Sequence, residues 1–285
     1  MSISAAYLGI ILIWATTPLA IKWSGEAGFL FGAGSRMALG LVLCLILMPL
    51  FRVQWPRGAA ARRACFFAGL GMFGAMGCVY WGAQHIPSGL VSVLFGLTPL
   101  ATGIMAALWL DERFLSASRL TGIGLALTGL VVIFDAGAQL EGARWQGIAA
   151  VILAMVLHSG SMVGVKRYGR DLHPLATNTG GLMIAVPLYA AAWLLTGAPV
   201  PEPEMKSVAA IVYLAVFGTA FGFVLYYYAL RRLPAGVIAL ITLITPVLAL
   251  LIGKAFNGES VTPGVWAGTA LIMSGLVLYQ WGGRL

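Results

Sequence analysis

The chain has 285 residues, of which 60% are hydrophobic and only 9% are charged. An ordinary soluble domain carries roughly 25% charged residues, so this chain cannot cover itself with a polar surface in water and most of it must be solvated by lipid. The net charge of +8 does not point to nucleic acid. Lys and Arg fall between apolar runs, as they do in the loops of membrane proteins, and no aromatic-basic module accompanies them.

A bilayer core about 30 Å thick takes roughly 20 apolar residues in a helix. On that measure the sequence predicts ten spans, at 4–22, 29–51, 64–84, 87–109, 117–135, 146–165, 174–196, 206–230, 234–256 and 263–282. The first has no basic region before it and no clear cleavage site, so it reads as a retained helix rather than a signal peptide. It carries Trp14, Thr17 and Pro18 and ends at Lys22. The second holds Arg36, whose guanidinium could grip a carboxylate with two parallel hydrogen bonds. Its place near one end of the span favours an interfacial arginine snorkelling to headgroups. The third ends near Tyr80-Trp81, and the fourth opens at Pro87 and carries Thr98-Pro99. The sixth has His158 at mid-depth in Leu157-His158-Ser159-Gly160-Ser161. The eighth ends near Tyr226-Tyr227-Tyr228, and the ninth carries Thr245-Pro246. Cys44, Cys65 and Cys78 have no metal or redox spacing.

With the N-terminus inside, the inner loops hold Arg52, Arg57, Arg62, Arg63, Arg113, Arg119, Lys166, Arg167, Arg170, Arg231, Arg232 and Arg284. The outer loops hold Lys22, Arg144, Lys206 and Lys254. This bias of twelve against four follows the positive-inside rule and puts both termini in the cytoplasm.

The sequence also repeats. Pro87-Ser88-Gly89-Leu90-Val91 matches Pro234-Ala235-Gly236-Val237-Ile238 at an offset of 147. The same offset pairs Thr98-Pro99 with Thr245-Pro246, Glu112 with Glu259, Tyr80-Trp81 with Tyr227-Tyr228, and Gly71 with Gly218. Near the start of each half the offset is 144, pairing Lys22 with Lys166 and Trp14 with His158. Residues 1–142 and 143–285 are thus two repeats of five spans. Five is odd, so the second must enter the membrane from the opposite side, an architecture that secondary transporters use to hold substrate near the midplane.

Ionisable groups within spans are expensive and become site candidates by default. His158, between serines, could hydrogen-bond a substrate or relay a proton, or it could be a neutral histidine bonded to a neighbouring helix. Each Thr-Pro pair removes a backbone hydrogen bond and should kink its helix, which makes Pro99 and Pro246 candidate hinges. The two aromatic clusters could be interfacial belts or gates on opposite faces. The many glycines read as packing residues. No HExxH, GxSxG or Walker loop is present, so no enzyme is expected, and no metal or cofactor. No carboxylate lies in the first span, which weakens the picture of a proton-coupled exporter of cationic drugs.

The ordered set of Leu12-Ile13-Trp14-Ala15, Lys22, Ile86-Pro87-Ser88-Gly89, Thr98-Pro99 and Asp111-Glu112-Arg113 resembles the EamA-type branch of the drug/metabolite transporters. So do Leu233-Pro234-Ala235-Gly236, Thr245-Pro246 and Gly258-Glu259. In architecture the chain looks like the YddG-like amino-acid exporters. The resemblance implies an all-α polytopic fold, ten helices in two inverted five-helix repeats around a central cavity, and export by alternating access. It implies cavity lining by Trp14, Thr17, Tyr80, Thr98, His158, Tyr227 and Thr245, with Trp81 and Ser161 as further candidates and Arg36 as a potential anion contact. The expected partners are a small polar substrate, most readily an amino acid, and the lipid of the cell inner membrane. The alternatives are an exporter of cations such as methyl viologen and a non-transporting membrane protein. Substrate and oligomeric state stay open.

Overall fold

In a computed structural model, residues 3–110, 117–138, 144–197, 201–202, 204–222, 225 and 235–281 are described. The apolar runs fold as helices because a helix satisfies its backbone polar groups within itself, as lipid requires. In chain order they are α1 (Ile3–Gly25), α2 (Phe29–Leu50) and α3 (Ala59–Ala83). Then come α4, in two pieces (Ser88–Phe95 and Thr98–Leu110), α5 (Ala117–Ala138) and α6 (Arg144–Tyr168). The last four are α7 (Pro174–Leu195), α8 (Met205–Phe221), α9 (Ala235–Asn257) and α10 (Pro263–Trp281). Among the described residues six helices are long and apolar enough to cross a membrane, and shorter apolar stretches in α5, α8, α9 and α10 complete the ten.

The inversion of the halves can be traced through contacts. α1 ends at Lys22, which reaches the carbonyl of Ile86 just before α4 begins. α4 therefore starts at the Lys22 face and ends at the other. There Arg167, in the last turn of α6, donates to the carbonyl of Trp109 near the end of α4. The equivalent helices α1 and α6 thus finish on opposite faces, as two repeats of five spans demand. The halves interlock through α1 against α9, α4 against α9, α5 against α10, α2 against α7 and α8, and α3 against α6 and α7.

Two sequence expectations are corrected. α3 begins at Ala59, five residues before its apolar run, so Arg62 and Arg63 ride its first turns rather than a loop. Arg119, Lys166 and Arg167 likewise sit on helices. Arginine and lysine are good helix formers, and cations are favoured in a last turn such as that of α6. The second correction concerns hydrogen-bond register. α3 contains a π-helical segment at Gly71–Ala75, and α8 contains one at Leu214–Phe221. At the repeat offset of 147 the first falls on 218–222, inside or next to the second. The pairing of Gly71 with Gly218 in the sequence marks this shared departure from the α-helix, not packing alone.

Candidate functional site

The corresponding Thr-Pro dipeptides behave differently in the two halves. In α4 the helix stops at Phe95 and a new one starts at Thr98. At the junction the Gly96 N–H is shared between the Ser92 and Val93 carbonyls, both at 3.0 Å, and the Leu97 N–H turns to the Leu94 carbonyl at 3.1 Å, so the bonds tighten towards three-residue spacing. Pro99 then occupies the first turn of the next piece, where its missing N–H costs nothing. In α9 the helix runs on through Pro246.

The break in α4 is a meeting point. The His158 ring lies 5.9 Å from that of Phe95. Ser159 Oγ donates to the Thr98 carbonyl over a long 3.5 Å. A Cβ on Gly96 would stand 3.6 Å from Pro246 Cγ and 3.3 Å from Met273 Cε, so the absence of a side chain lets the break sit against α9 and α10. The structure therefore brings Thr98, Pro99, His158 and Pro246 into one neighbourhood.

The remaining predicted residues have other surroundings, apart from Thr245, which precedes Pro246 in α9. Trp14 is half-buried against Ile10, Ile11 and Ile241, between α1 and α9. The Thr17 and Thr245 hydroxyls bond back to the carbonyls of Ile13 and Ile241, four residues earlier, at 2.6 and 2.8 Å, and the Thr98 hydroxyl bonds back three residues to the Phe95 carbonyl at 2.6 Å. These hydroxyls have used their protons locally and keep only acceptor capacity. Ser161 is buried against Gly71, whose missing side chain makes room for it. Tyr80 is fully buried, with its hydroxyl accepting from Ser24 Oγ at 3.2 Å, so it is not part of an interfacial belt. Trp81 is half-buried with its ring 4.3 Å from that of His85. Tyr227 lies outside the described residues.

Arg36 does not snorkel. It is only 4% exposed, and its Nε donates to Thr219 Oγ1 at 3.1 Å, in the π-helical segment of α8. Gly218 makes this possible, since a Cβ there would stand 3.0 Å from Arg36 Nη2. Asn178 of α7 donates to the Thr219 carbonyl at 3.2 Å and to Cys44 Sγ at 3.4 Å. The π-segment of α3 is held in a matching way, by Tyr189 of α7 donating to the carbonyls of Met72 and Phe73 at 3.1 and 3.0 Å. Asn178, Thr219 and Tyr189 do not stand out in the sequence as site residues. The visible signal was polar residues in an apolar run, in Thr177-Asn178-Thr179.

At the Lys22 face a second polar group ties the repeats together. Lys22 Nζ lies 3.3 Å from Glu259 Oε1. Glu259 Oε2 accepts from the Ser88 backbone N–H and from Ser88 Oγ at 2.8 and 2.9 Å, capping the start of α4. Asn257 donates to Glu259 Oε1 at 3.0 Å and accepts from Trp23 Nε1 at 2.8 Å. Burial pushes the Glu259 carboxyl up, but the Ser88 N–H, the Lys22 charge and the remaining hydrogen bonds outweigh it and hold the group below its ordinary 4.5.

Comparison with known proteins adds to this geometry. The model of the EamA-like transporter family matches the chain twice, over residues 2–135 and 145–280. A Streptantibioticus cattleyicolor protein named a probable terminal-alkyne amino-acid exporter is 27% identical, over 98% of this chain and 94% of its own. The inner membrane transporter YedA of Escherichia coli K12, itself uncharacterised, is 25% identical over 97% of this chain and 90% of its own. A solved crystal structure 21% identical superposes with a TM-score of 0.70, covering 99% of this chain and 98% of that one. It supports the fold.

Proposed function

This chain belongs to the EamA-like transporter family, and from that premise we propose that it exports amino acids or similar small zwitterions by alternating access. It is a multi-pass membrane protein that handles a small-molecule substrate within the bilayer. The finer reading is a rocking of the two inverted halves about a wet pocket between them, hinged at Pro99 and Pro246. The inner membrane is the proposed location, with both termini cytoplasmic.

The observation that carries this reading is the break in α4, set against Pro246 of the other half and flanked by His158. A helix interrupted inside the membrane is tolerated where neighbouring helices or a cavity satisfy its freed groups, and transporters build substrate sites from such interruptions. In this reading His158, Thr98 and Thr245 contact the substrate. Trp14, Thr17 and Trp81 line the path on either side, while Tyr80 and Ser161 support it from the packed helix interior. The name of the Streptantibioticus relative supports an amino-acid substrate.

Counterflow in proteoliposomes tests it, with a panel of L-amino acids run against methyl viologen. Exchange of at least one amino acid is expected, and His158→Ala should lower it about tenfold or more while the protein stays monodisperse. Exchange of methyl viologen alone would overturn the substrate class. Unchanged amino-acid exchange by His158→Ala would remove that residue from the site.

A further inference from the structure

Arg36 and Asn178 pose a problem that packing alone does not solve. Arg36 lies two turns into α2, and an ionised side chain held inside a membrane span is expensive unless it is paired. Buried cations are therefore normally paired. Among the described residues no carboxylate stands within ion-pair distance of Arg36. Its Nη1 is out of solvent with no hydrogen-bond partner, and so is Asn178 Oδ1. Both side chains are anchored on the same residue, Arg36 on the Thr219 hydroxyl and Asn178 on the Thr219 carbonyl. A cationic donor and a neutral acceptor are thus both held against Thr219 of α8, and neither satisfies the other.

We propose that Arg36, Asn178 and the π-segment of α8 form the subsite that holds the backbone end of an α-amino acid, with Arg36 Nη1 donating to its carboxylate and Asn178 Oδ1 accepting from its ammonium. This rests on the transport reading above and names the group by which substrate is recognised. The pairing of charges selects among small solutes. A carboxylate supplies the missing counter-charge, in the charge-assisted geometry that guanidinium favours. A phosphate would leave Asn178 Oδ1 unsatisfied, and a quaternary cation would meet the Arg36 charge. The subsite is closed as it stands, so loading it requires α8 to move against α2. A π-segment suits that movement, because its extra residue loosens the local hydrogen-bond register.

The test compares each amino acid that exchanges in counterflow with its own amide and with its decarboxylated amine. A site built to bond one group rejects analogues lacking it far more strongly than a merely apolar pocket does. The wild-type protein should prefer the free acid over both analogues by about tenfold or more. Arg36→Gln should bring acid and amide to within about threefold of each other while amide exchange continues. Asn178→Leu should weaken the free acid and leave the N-acetylated acid unchanged. Equal exchange of acid and amide by the wild-type protein overturns the subsite without touching the transport reading, and it needs no variant to fold. An acid-to-amide preference that survives Arg36→Gln also overturns it and assigns the orphan atoms to a structural water. Failure of every amino acid in the panel, with methyl viologen exchanged, overturns both readings together.

Discussion

α4 and α9 occupy equivalent places in the two repeats and share the motif Pro-x-Gly followed by Thr-Pro, yet one is broken and the other is not. The difference begins one turn before the proline. At the repeat offset, Gly96 corresponds to Leu243, and glycine is about 1 kcal/mol worse than a good helix former inside a helix. Glycine and proline together end the helix in α4; proline alone does not end it in α9. The start of the motif differs too, with Ser88 in the first repeat and Ala235 in the second. Ser88 gives Glu259 a hydroxyl bond that an alanine cannot give. Near-identical motifs thus give one half a jointed span with a clamped entrance and the other a continuous span.

The largest break in this comparison should come from the clamp. Glu259→Gln leaves Lys22 without its counter-ion, and losing one partner of a buried pair typically costs 3–5 kcal/mol. Lys22 keeps 23% of its side chain exposed, so about 2 kcal/mol is the expectation, read as a lower melting temperature in detergent. The pH dependence has a fixed sign. Because the Glu259 carboxyl is held below its ordinary 4.5, its contribution is complete above that value and is lost as pH falls through the lower folded value. Melting of the wild type should carry no Glu259 contribution to pH dependence between pH 5 and 8. The gap to Glu259→Gln should close only in stronger acid. A gap that closes near pH 6 would contradict the geometry.

A smaller effect should follow from exchanging the clamp residues. Ser88→Ala removes one hydrogen bond, worth about 0.5–1.5 kcal/mol, and should make the Lys22 face more accessible to thiol labelling at an engineered cysteine. Ala235→Ser should move the balance the other way if the halves are mechanically equivalent. No change in labelling for either variant would show that the two entrances are not coupled.

The smallest effect separates the prolines. Pro99→Ala changes a first-turn position where proline is tolerated, so melting should stay within about 0.5 kcal/mol of wild type. Pro246→Ala restores a backbone bond in a helix interior and should stabilise by up to about 1 kcal/mol. Its exchange rate should fall more than that of Pro99→Ala, since α9 has no second break to bend at. Equal rates for both variants would remove Pro246 as a hinge.

The candidate site is legible in the sequence only in part. His158, Thr98 and Pro246, which the structure brings into one neighbourhood, stand out in the sequence because an ionisable group or an imino acid in an apolar run is locally conspicuous. Arg36 is conspicuous in the sequence, but its nearness to the end of α2 points to headgroups, whereas its partner, Thr219, lies 183 residues away. Asn178 is inconspicuous because an amide carries no charge and makes no motif by itself.

The sequence by itself determined the solvent, the number of spans, their order and the inverted relation of the halves. These depend on run length, parity and internal repetition, which are properties of the chain read locally. Only the tertiary structure decided which polar groups are satisfied. A hydrogen bond between spans depends on helix rotation, on the register shift of the π-segments and on glycines such as Gly218 that let a guanidinium lie against a neighbouring backbone. None of these is fixed until the helices pack.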